Sequence, residues 1–580
     1  MCGIAGIITR DGLTPPPRIL DALTQALVHR GPDGNGRHVR GNVGFVQTRL
    51  AIIDLTTGDQ PLFAPDGTAL VANGEVYNHL ELHADLPEVR FVTASDCEPP
   101  LYLYQEAGLA YASRLRGMYA IAIHDPHAGR VTLTRDPFGI KPLYLAETPI
   151  GLAFASEPQA LIAAGLVGPK VRESALNELL QLQFTTGRDC IFEGITRLLP
   201  GETISIEQGQ VTERRRLEAL PTGGSCSKAG LDITLNELDE VLTNSVTLHQ
   251  RSDVPYGMFL SGGIDSSVLL ALMARLNERP VQAFTAGFPG TAAHDERAHA
   301  RHLAKIVGAE HVEVDFTEGD FWALLPSVAA AMDDPAADYA CLPTFKLAAE
   351  ARKSVKVILS GEGGDELFGG YGRYRTAARP WPLARPMRRK GVFDGLGVLR
   401  HEPKGWREGI HRSELAEAKP GRSKLQIAQA VDIADWLPND LLIKLDRCLM
   451  AHGVEGRVPF LDPLVADFAF RLPDRLKIHN GLGKHLLRLW LDKVLPEAKA
   501  FSKKRGFTVP VGEWIAGQSA RIAPLVARQT CIEAICRPGT VEPLFAKGHF
   551  AAWSLLFFAL WHRIHIEGQK PEGGVFEMLE

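Results

Sequence analysis

The sequence predicts an α+β N-terminal region of layered sheets, followed by an α/β region on a parallel sheet with a helical C-terminal part. The chain has 580 residues, more than one hydrophobic core usually supports, so two to four domains are expected. Residues 1 to about 210 hold short β-like segments broken by Gly and Pro, whereas strand and helix patterns alternate from Val254 onward. We therefore expect a first domain at 1–210, a linker at 211–232 and a second domain at 233–580.

Composition excludes some classes of partner. The chain is 45% apolar and 23% charged, with a formal net charge of −5, which gives no electrostatic case for nucleic acid or a membrane surface. The longest apolar run lies near Phe550 to Trp561, short of the roughly 20 residues that a spanning helix needs. It predicts a buried C-terminal helix, and neither a membrane nor a nucleic-acid partner is expected.

Cysteine usage favours a reducing, cytoplasmic location. The 8 cysteines are scattered and form no Cys-x-x-Cys pair, so zinc and redox motifs lack support. The start of the chain is short of basic residues and of a sustained apolar stretch, so no signal peptide is expected.

The first candidate functional residue is Cys2. If Met1 is removed, Cys2 carries a thiol and a free α-amino group, with ordinary pKa values of about 8.5 and about 8. A nucleophile with its own base is a known catalytic arrangement. The alternative is an ordinary cysteine in a first β-strand, and position alone does not separate the two.

The rest of the first half is predicted to form layered sheets with some helices, and a turn-forming segment at Pro221 to Ser227 marks the boundary. Helical periodicity follows from Leu235 to Leu248. Further elements are expected in this order: strands 43–46, 69–72, 119–123 and 131–134 in the first half, then strand 254–260, helix 266–276, strand 281–288, helix 295–307, strand 311–316 and strand 355–359.

A Gly- and Ser-rich loop joins the strand at 254–260 to its helix. It reads Ser261-Gly262-Gly263-Ile264-Asp265-Ser266-Ser267. Glycines let backbone N–H groups approach an anion, and a helix N-terminus adds a positive dipole. The lysine of the kinase and GTPase phosphate loop is missing. The pattern Ser-Gly-Gly-x-Asp-Ser resembles the pyrophosphate loop of ATP pyrophosphatases; the alternative is a structural turn.

A second loop follows the strand at 355–359 and reads Ser360-Gly361-Glu362-Gly363-Gly364-Asp365-Glu366. Three carboxylates among glycines suit a cation and phosphate site at the carboxyl ends of parallel strands. Asp265 and Asp365 together are expected to hold Mg²⁺ between phosphate oxygens.

These motifs, in this order, resemble the glutamine-hydrolysing asparagine synthetases over nearly the whole chain. The resemblance implies that the first half is a class II glutamine amidotransferase domain with an Ntn-hydrolase-type αββα sandwich. The second half resembles an ATP-pyrophosphatase-like synthetase domain. The implied substrates are glutamine, aspartate and ATP, and a homodimer is one assembly open to the chain.

The resemblance assigns a role to each glutaminase residue. Cys2 attacks the glutamine amide, and the Asn73 side chain with the Gly74 N–H forms the oxyanion hole, where one donor is worth about 3 kcal/mol. Arg49 clamps the α-carboxylate. Asp96, with Glu75, takes the α-ammonium. The loop at 29–33 covers the glutamine.

It also assigns the ATP site. Glu362 matches a general base, and Lys484 a lysine that neutralises phosphate charge, although an exposed structural lysine is the alternative. Asp334 and Asp338 match a loop over aspartate and ATP, and Asp446-Arg447 a helical segment near the substrate. The expected ATP contacts are Leu260, Ser261, Gly262, Gly263, Asp265, Ser266, Ser267, Ala286, Ser360 and Gly361.

The implied activity is asparagine synthesis through a β-aspartyl-AMP intermediate, with ammonia released at Cys2. One alternative keeps this chemistry and amidates another carboxylate; another is a non-catalytic binding protein. Two departures from the family pattern lie at 448–451 and 503–507, and Pro99-Pro100 is expected to shift or delay a helix start.

Overall fold

The structure is a computed structural model that describes residues 2–223, 230–292, 295–380, 383, 385–502 and 509–580. Met1, part of the predicted linker and the segment at 503–507 lie outside the described residues.

The first region is built from strands that form two six-stranded antiparallel sheets. Its strands are β1 (Cys2–Thr9), β2 (Gly34–Arg40), β3 (Val43–Arg49), β4 (Leu62–Phe63), β5 (Ala69–Val76), β6 (Gly117–Asp125), β7 (Arg130–Arg135), β8 (Tyr144–Thr148), β9 (Gly151–Ala155), β10 (Ile195–Arg197), β11 (Glu202–Glu207) and β12 (Gln210–Arg216). Its helices are α1 (Pro17–Leu27), α2 (His79–Asp85), α3 (Pro99–Ala107), α4 (Pro158–Ala163) and α5 (Glu173–Leu182), with a 3₁₀ helix at Gly108–Arg114.

The two sheets stack face to face between layers of helix. One has the order β10-β8-β9-β1-β3-β2 and the other β12-β11-β7-β6-β5-β4. Residues such as Ile4, Phe45 and Leu133 fill the space between the sheets. Helix α1 packs against the outer face of the first sheet, and α3 belongs to the apolar cluster on the outer face of the second. The predicted αββα sandwich is therefore confirmed.

Helix α3 begins at Pro99, so the proline pair occupies the first two helical positions and does not delay the helix. Proline is tolerated there because N–H groups in the first turn have no intrahelical acceptor.

The second region holds a five-stranded parallel sheet with the order β15-β14-β13-β16-β17. Its strands are β13 (Tyr256–Phe259), β14 (Gln282–Gly287), β15 (Glu310–Asp315), β16 (Val357–Leu359) and β17 (Glu455–Arg457). The helices are α6 (Leu231–His249), α7 (Ile264–Leu276), α8 (Arg297–Val307), α9 (Glu318–Ala331), α10 (Cys341–Ala351), α11 (Gly364–Phe368) and α12 (Gly372–Ala377). The elements predicted between 254 and 359 are confirmed, with ends that shift by at most two residues.

The C-terminal part is helical, as predicted. It holds α13 (Glu408–Glu417), α14 (Lys424–Val431), a π-helix at Asp432–Leu441, α15 (Leu442–Met450), α16 (Pro463–Arg471), α17 (Asp474–Lys477), α18 (His485–Val494), α19 (Val511–Gly517), α20 (Ser519–Ala527), α21 (Thr530–Ile535), α22 (Glu542–Ala546), α23 (Phe550–His565) and α24 (Val575–Leu579). A hairpin pairs β18 (Ile478–His479) with β19 (Leu482–Gly483), and 3₁₀ turns lie at Pro459–Leu461 and Pro496–Ala498.

Helix α23 is the buried helix that the apolar run predicted, with Trp553 and Trp561 fully enclosed. Among the described residues, none of the helices has both the length and the apolar character to cross a membrane.

Candidate active sites

Cys2 opens β1 directly opposite Arg49 of β3, in the middle of a sheet. The residue is buried, with 6% of its surface exposed. Burial raises the pKa of the Cys2 thiol above its ordinary value, while the nearby positive charge and a hydrogen bond from the Leu50 backbone act in the opposite direction. A thiol in this setting needs a proton acceptor or a polarised substrate to react as the thiolate.

Asn73 and Gly74 lie beside Cys2 near the end of β5. The Cys2 backbone N–H donates to Asn73 Oδ1 at 3.2 Å, which leaves the amide nitrogen facing away from that bond. Asn73 Nδ2 is buried and has no hydrogen-bond partner among the described residues. An unpartnered buried donor next to a nucleophile is what an oxyanion hole needs.

Gly74 is required by close packing. A Cβ at this position would lie 2.1 Å from the Met118 carbonyl oxygen on β6. Any side chain would therefore push β5 away from β6 and move Asn73.

Glu75 and Asp96 form a buried pair of carboxylates near Cys2. Burial and the neighbouring Asp96 raise the pKa of Glu75 well above its ordinary value, and burial also raises the pKa of Asp96. Asp96 Oδ2 accepts from the Val76 N–H at 2.7 Å, and Arg457 Nη2 lies 3.1 Å from Glu75 Oε2. Two buried carboxylates with raised pKa values favour the arrival of a cation such as an ammonium group.

Arg49 places its guanidinium at the rim of this site. Its Nη1 donates to Asp59 at 2.6 Å, and its Nη2 donates to the Asp54 carbonyl. The side chain of Asp59 is 82% exposed, so this ion pair is a weak one that a substrate carboxylate could replace.

Arg30 connects the first site to the second domain. Its Nε donates to the Cys2 carbonyl at 3.2 Å, and Nη1 donates to Glu157 at 2.7 Å. Nη1 and Nη2 also donate to Asp446 of α15 at 2.8 and 3.0 Å. The Arg30 side chain is fully buried, so its charge-assisted contacts are shielded from the solvent.

Further buried ion pairs surround this link. Arg447 Nε donates to Asp333 at 2.8 Å, while Nη1 contacts Asp446 at 3.0 Å. Asp446 and Arg447, which were expected near the substrate, therefore lie between the two domains. Glu157 contacts both Arg30 and Arg447 and belongs to the same network.

Asp334 corrects another expectation. Instead of covering aspartate and ATP, its carboxylate accepts from Arg197 and from the Tyr144 hydroxyl, both at 2.8 Å. Arg197 and Tyr144 belong to the first region, so Asp334 holds the two domains together. Asp338, four residues later, does reach the cleft.

The second site is a cleft of about 910 Å³ at the carboxyl ends of the parallel strands. Ligands of open α/β sheets bind at this edge. The predicted residues that line the cleft are Leu260, Ser261, Gly262, Gly263, Asp265, Ser266, Ala286, Ser360, Gly361, Glu362, Asp365 and Lys484.

The first loop has the geometry that an anion site requires. Gly262 has a φ of +69°, which favours glycine, and α7 begins two residues later. The hydroxyls of Ser261 and Ser266 lie 3.1 Å apart and hold the loop in shape.

Two predicted ATP contacts fit less well. Ser267 is buried in the first turn of α7 and does not line the cleft. Leu260 lines it, but its N–H donates to the Phe284 carbonyl and so continues the pairing of β13, while its own carbonyl accepts from the Thr285 hydroxyl.

Lys484 lies between the two carboxylates that were expected to hold a metal. Its Nζ contacts Asp265 and lies 2.7 Å from Asp365. The residue is 2% exposed, so the surface-lysine alternative is wrong. Burial lowers the pKa of Lys484, but Asp265 and Asp365 raise it by more, and the ammonium stays charged.

The same carboxylates fit a magnesium ion. Both contact one Nζ atom, so their oxygens face a common point, and Mg²⁺ takes one or two carboxylates together with substrate phosphates. A Cβ on Gly370 would lie 1.7 Å from Asp365 Oδ1, so the glycine keeps this space open. Within the described ranges no group of three or more metal-type side chains occurs, which leaves phosphate to complete such a site.

Glu362 lies in the same cleft. Its Oε2 atom is buried and has no hydrogen-bond partner among the described residues. Lys444, from the first turn of α15, is a second cleft cation, and its Nζ donates to Asp338 at 2.8 Å. Sequence reasoning missed Lys444, because it stands outside any glycine-rich motif and only the path of α15 brings it to the cleft.

Comparison with known proteins gives the class and the family. The sequence matches the glutamine amidotransferase domain over residues 1–216 and asparagine synthase over residues 237–563. It is 32% identical to asparagine synthetase [glutamine-hydrolyzing] 1 of Bacillus subtilis, over 98% of this chain and 97% of the relative. It is 34% identical to a putative asparagine synthetase [glutamine-hydrolyzing] of Mycobacterium bovis, over 98% of each.

The two matched domains define an enzyme that forms an amide with nitrogen from glutamine. The chain belongs to the family of glutamine-hydrolysing asparagine synthetases. A solved structure of glutamine phosphoribosylpyrophosphate amidotransferase from B. subtilis also aligns, with 18% identity and a TM-score of 0.28 over 54% of this chain and 65% of that chain. That likeness is too weak to support an argument.

Proposed function

We propose that the protein makes asparagine from aspartate, with ammonia from glutamine and with ATP cleaved to AMP and pyrophosphate. The proposal rests on the family and on two sites with separate chemistry in one chain. The first releases ammonia, and the second activates a carboxylate.

At the first site, the Cys2 thiolate attacks the side-chain amide of glutamine and forms a glutamyl thioester. The Cys2 α-amine, freed by removal of Met1, takes the thiol proton and passes it to the departing ammonia. Asn73 Nδ2, the unpartnered buried donor, stabilises the oxyanion together with the Gly74 N–H. Glu75 and Asp96 hold the α-ammonium, and Arg49 exchanges Asp59 for the α-carboxylate. Water then releases glutamate.

At the second site, the β-carboxylate of aspartate attacks the α-phosphorus of ATP and expels pyrophosphate. The Gly262 loop and the N-terminus of α7 bind phosphate, and Lys484 neutralises its charge. Asp265 and Asp365 would hold Mg²⁺, which neutralises phosphate charge when bound.

Ammonia then attacks the β-aspartyl-AMP carbonyl, and AMP leaves. Glu362 accepts the proton that the attacking nitrogen loses, since its Oε2 is free of other partners within the described structure. The products are asparagine, AMP, pyrophosphate and glutamate.

The observation that carries the proposal is that one chain holds both features: an unpartnered Asn73 donor beside Cys2 and a cleft large enough for a nucleotide. The experiment is an acceptor panel, with glutamine, ATP and Mg²⁺ supplied to the purified protein and pyrophosphate followed. Aspartate should give the fastest release, with AMP and asparagine in equal amounts. A faster alternative carboxylate would replace aspartate in the proposal, and formation of ADP would reject it.

The cytoplasmic location is part of the same proposal. The seven cysteines that the structure describes are all free thiols, which suits a reducing compartment. The homodimer remains a prediction that sedimentation of the purified protein would check.

A further inference from the structure

The cleft carries two buried lysines in different surroundings. Lys484 lies at its phosphate end between Asp265 and Asp365. Lys444 enters from α15 into the same cleft that Glu362 lines. The proposed reaction gives Lys484 a task and leaves Lys444 without one.

The surroundings of Lys444 hold its charge in place. Asp338 Oδ2 accepts from its Nζ at 2.8 Å, and Asp338 Oδ1 accepts from the Ala340 N–H at 2.9 Å, just before α10. Both oxygens of Asp338 are thus fixed. Burial lowers the pKa of Lys444, but Asp338 and Glu362 raise it by more, so the ammonium is charged at neutral pH.

A second carboxylate, that of Asp440 in the π-helix, interacts with the pair formed by Lys444 and Asp338. Burial and the charge of Asp338 raise the pKa of Asp440 to about 7, while Lys444 lowers it. Asp440 Oδ1 is buried and has no hydrogen-bond partner among the described residues. The Lys444 ammonium has three donors, and Asp338 takes one of them.

We infer that Lys444 binds the α-carboxylate of the acceptor amino acid and thereby sets which carboxylate is left to react. The inference rests on the proposed function and assigns the acceptor end of the same cleft. A carboxylate in a direct ion pair is a poorer nucleophile, so the Lys444 ammonium suits the carboxylate that does not react. Asp338 and Asp440 are positioning residues that hold the ammonium toward the cleft.

A π-helix lies directly before Lys444 in the chain. Asp440 belongs to it and Lys444 follows it by three residues, close enough that each charge affects the pKa of the other. Pi-helical segments are often found at functional sites.

The test compares ligands that each lack one group of aspartate. Binding of aspartate, 3-aminopropanoate (no α-carboxylate) and succinate (no α-ammonium) is measured by calorimetry on the full chain with a non-hydrolysable ATP analogue and Mg²⁺ present. For the unaltered protein, aspartate should bind more tightly than 3-aminopropanoate by about 10- to 100-fold, the worth of a charged hydrogen bond. Equal affinity for the two would overturn the inference without any variant.

The variant Lys444→Met should weaken aspartate binding by a similar factor and leave 3-aminopropanoate binding unchanged. Its preference for aspartate over succinate should persist, because the ammonium contact is not altered. Lys444→Arg keeps the charge and should restore most of the preference over 3-aminopropanoate. If Lys444→Met weakens all three ligands equally, Lys444 is structural and the inference is wrong.

The matched control is Lys346→Met. Lys346 lies on α10, where it forms an ion pair with Asp320 of α9 at 2.7 Å and does not line the cleft. The affinities for all three ligands should therefore be unchanged. The proposed function is tested separately by the acceptor panel. If the unaltered protein forms no AMP with aspartate but does with another carboxylate, the panel identifies that acceptor. The inference about Lys444 is then rejected for aspartate.

Discussion

The two sites handle charge in different ways. Around Cys2 the charged side chains are buried, and several find their partners in the other domain, as Glu75 does with Arg457 and Arg30 with Asp446. In the cleft the charged side chains stand on loops and helix ends and face an open volume of about 910 Å³. Lys484 and Lys444 are held there by acids of their own domain.

This difference separates the tasks of the two sites. A buried site in a sheet suits one small substrate whose polar ends meet preset groups. A cleft at the edge of a parallel sheet accommodates a nucleotide together with an acceptor. The first site draws partners from the second domain. A substitution in the domain contact should therefore lower the activity at Cys2, whereas a substitution of Cys2 should leave the activity of the cleft unchanged.

The largest effect is expected from Cys2→Ala. Synthesis from glutamine should fall by more than about 1,000-fold because the nucleophile is lost. Synthesis from added ammonium should stay within about twofold, since the cleft is intact. The two rates are measured as AMP formed with aspartate and ATP.

Cys531→Ala is the control for a buried cysteine far from either site, and it should preserve both rates. Loss of the ammonium-dependent rate in Cys2→Ala would mean that the two sites are not separable.

Asn73→Ala should lower kcat for glutamine hydrolysis by about 100- to 1,000-fold, the usual cost of one oxyanion donor. KM for glutamine should change little, because the donor acts on charge that develops in the transition state. A raised KM with unchanged kcat would instead make Asn73 a binding residue. The ammonium-dependent rate again serves as the internal reference.

Asp446→Asn tests whether the second domain supports the first site. The change leaves the buried Arg30 without one of its two anionic partners, so the contact to the Cys2 carbonyl should loosen. Glutamine hydrolysis without aspartate or ATP should fall by about tenfold, a loss that corresponds to about 1.4 kcal/mol.

Asp467→Asn is the matched control, since Asp467 pairs with Arg471 on an exposed face of α16. It should leave glutamine hydrolysis unchanged. If Asp446→Asn behaves like this control, the buried network holds the domains together without supporting Cys2.

The motifs predicted the two sites better than the contacts between them. The strand and helix that flank Ser261 carry local periodicity and glycines that a sequence displays directly. Arg30, Asp334 and Lys444 have no such signature, because their roles depend on which residues of distant segments come together. Asp334 was misplaced for that reason: its neighbourhood in sequence indicated the cleft, while its ion pair with Arg197 spans 137 positions of the chain.

Burial also decides which role a single residue can have. The sequence favoured an active-site position for Lys484 over an exposed one, and its burial between two carboxylates agrees with that choice. Ser267 fits the loop pattern, but the first turn of α7 directs it into the core.

The smallest expected effect concerns Glu366, a buried carboxylate at the cleft. Burial and the nearby Asp365 raise the pKa of Glu366 to about 7, above that of the unfolded chain. The folded protein therefore binds this proton more tightly, and the stabilisation is complete below pH of about 4.3 and lost as the pH rises through about 7.

Glu366→Gln removes that titration. The melting temperature of the unaltered protein relative to the variant should fall by about 1 to 3 °C between pH 5 and pH 8. The exposed Glu88→Gln should give a constant difference, and a constant difference in Glu366→Gln as well would show that Glu366 is ionised throughout this range.

The most direct test of the account follows nitrogen from one site to the other. The purified protein is supplied with amide-¹⁵N-labelled glutamine, aspartate, ATP and Mg²⁺, and the products are measured by mass spectrometry and nucleotide chromatography. The account predicts ¹⁵N-asparagine and AMP in equal amounts, with glutamate formed alongside. Unlabelled product, ADP in place of AMP, or glutamate without any amidated acceptor would contradict it.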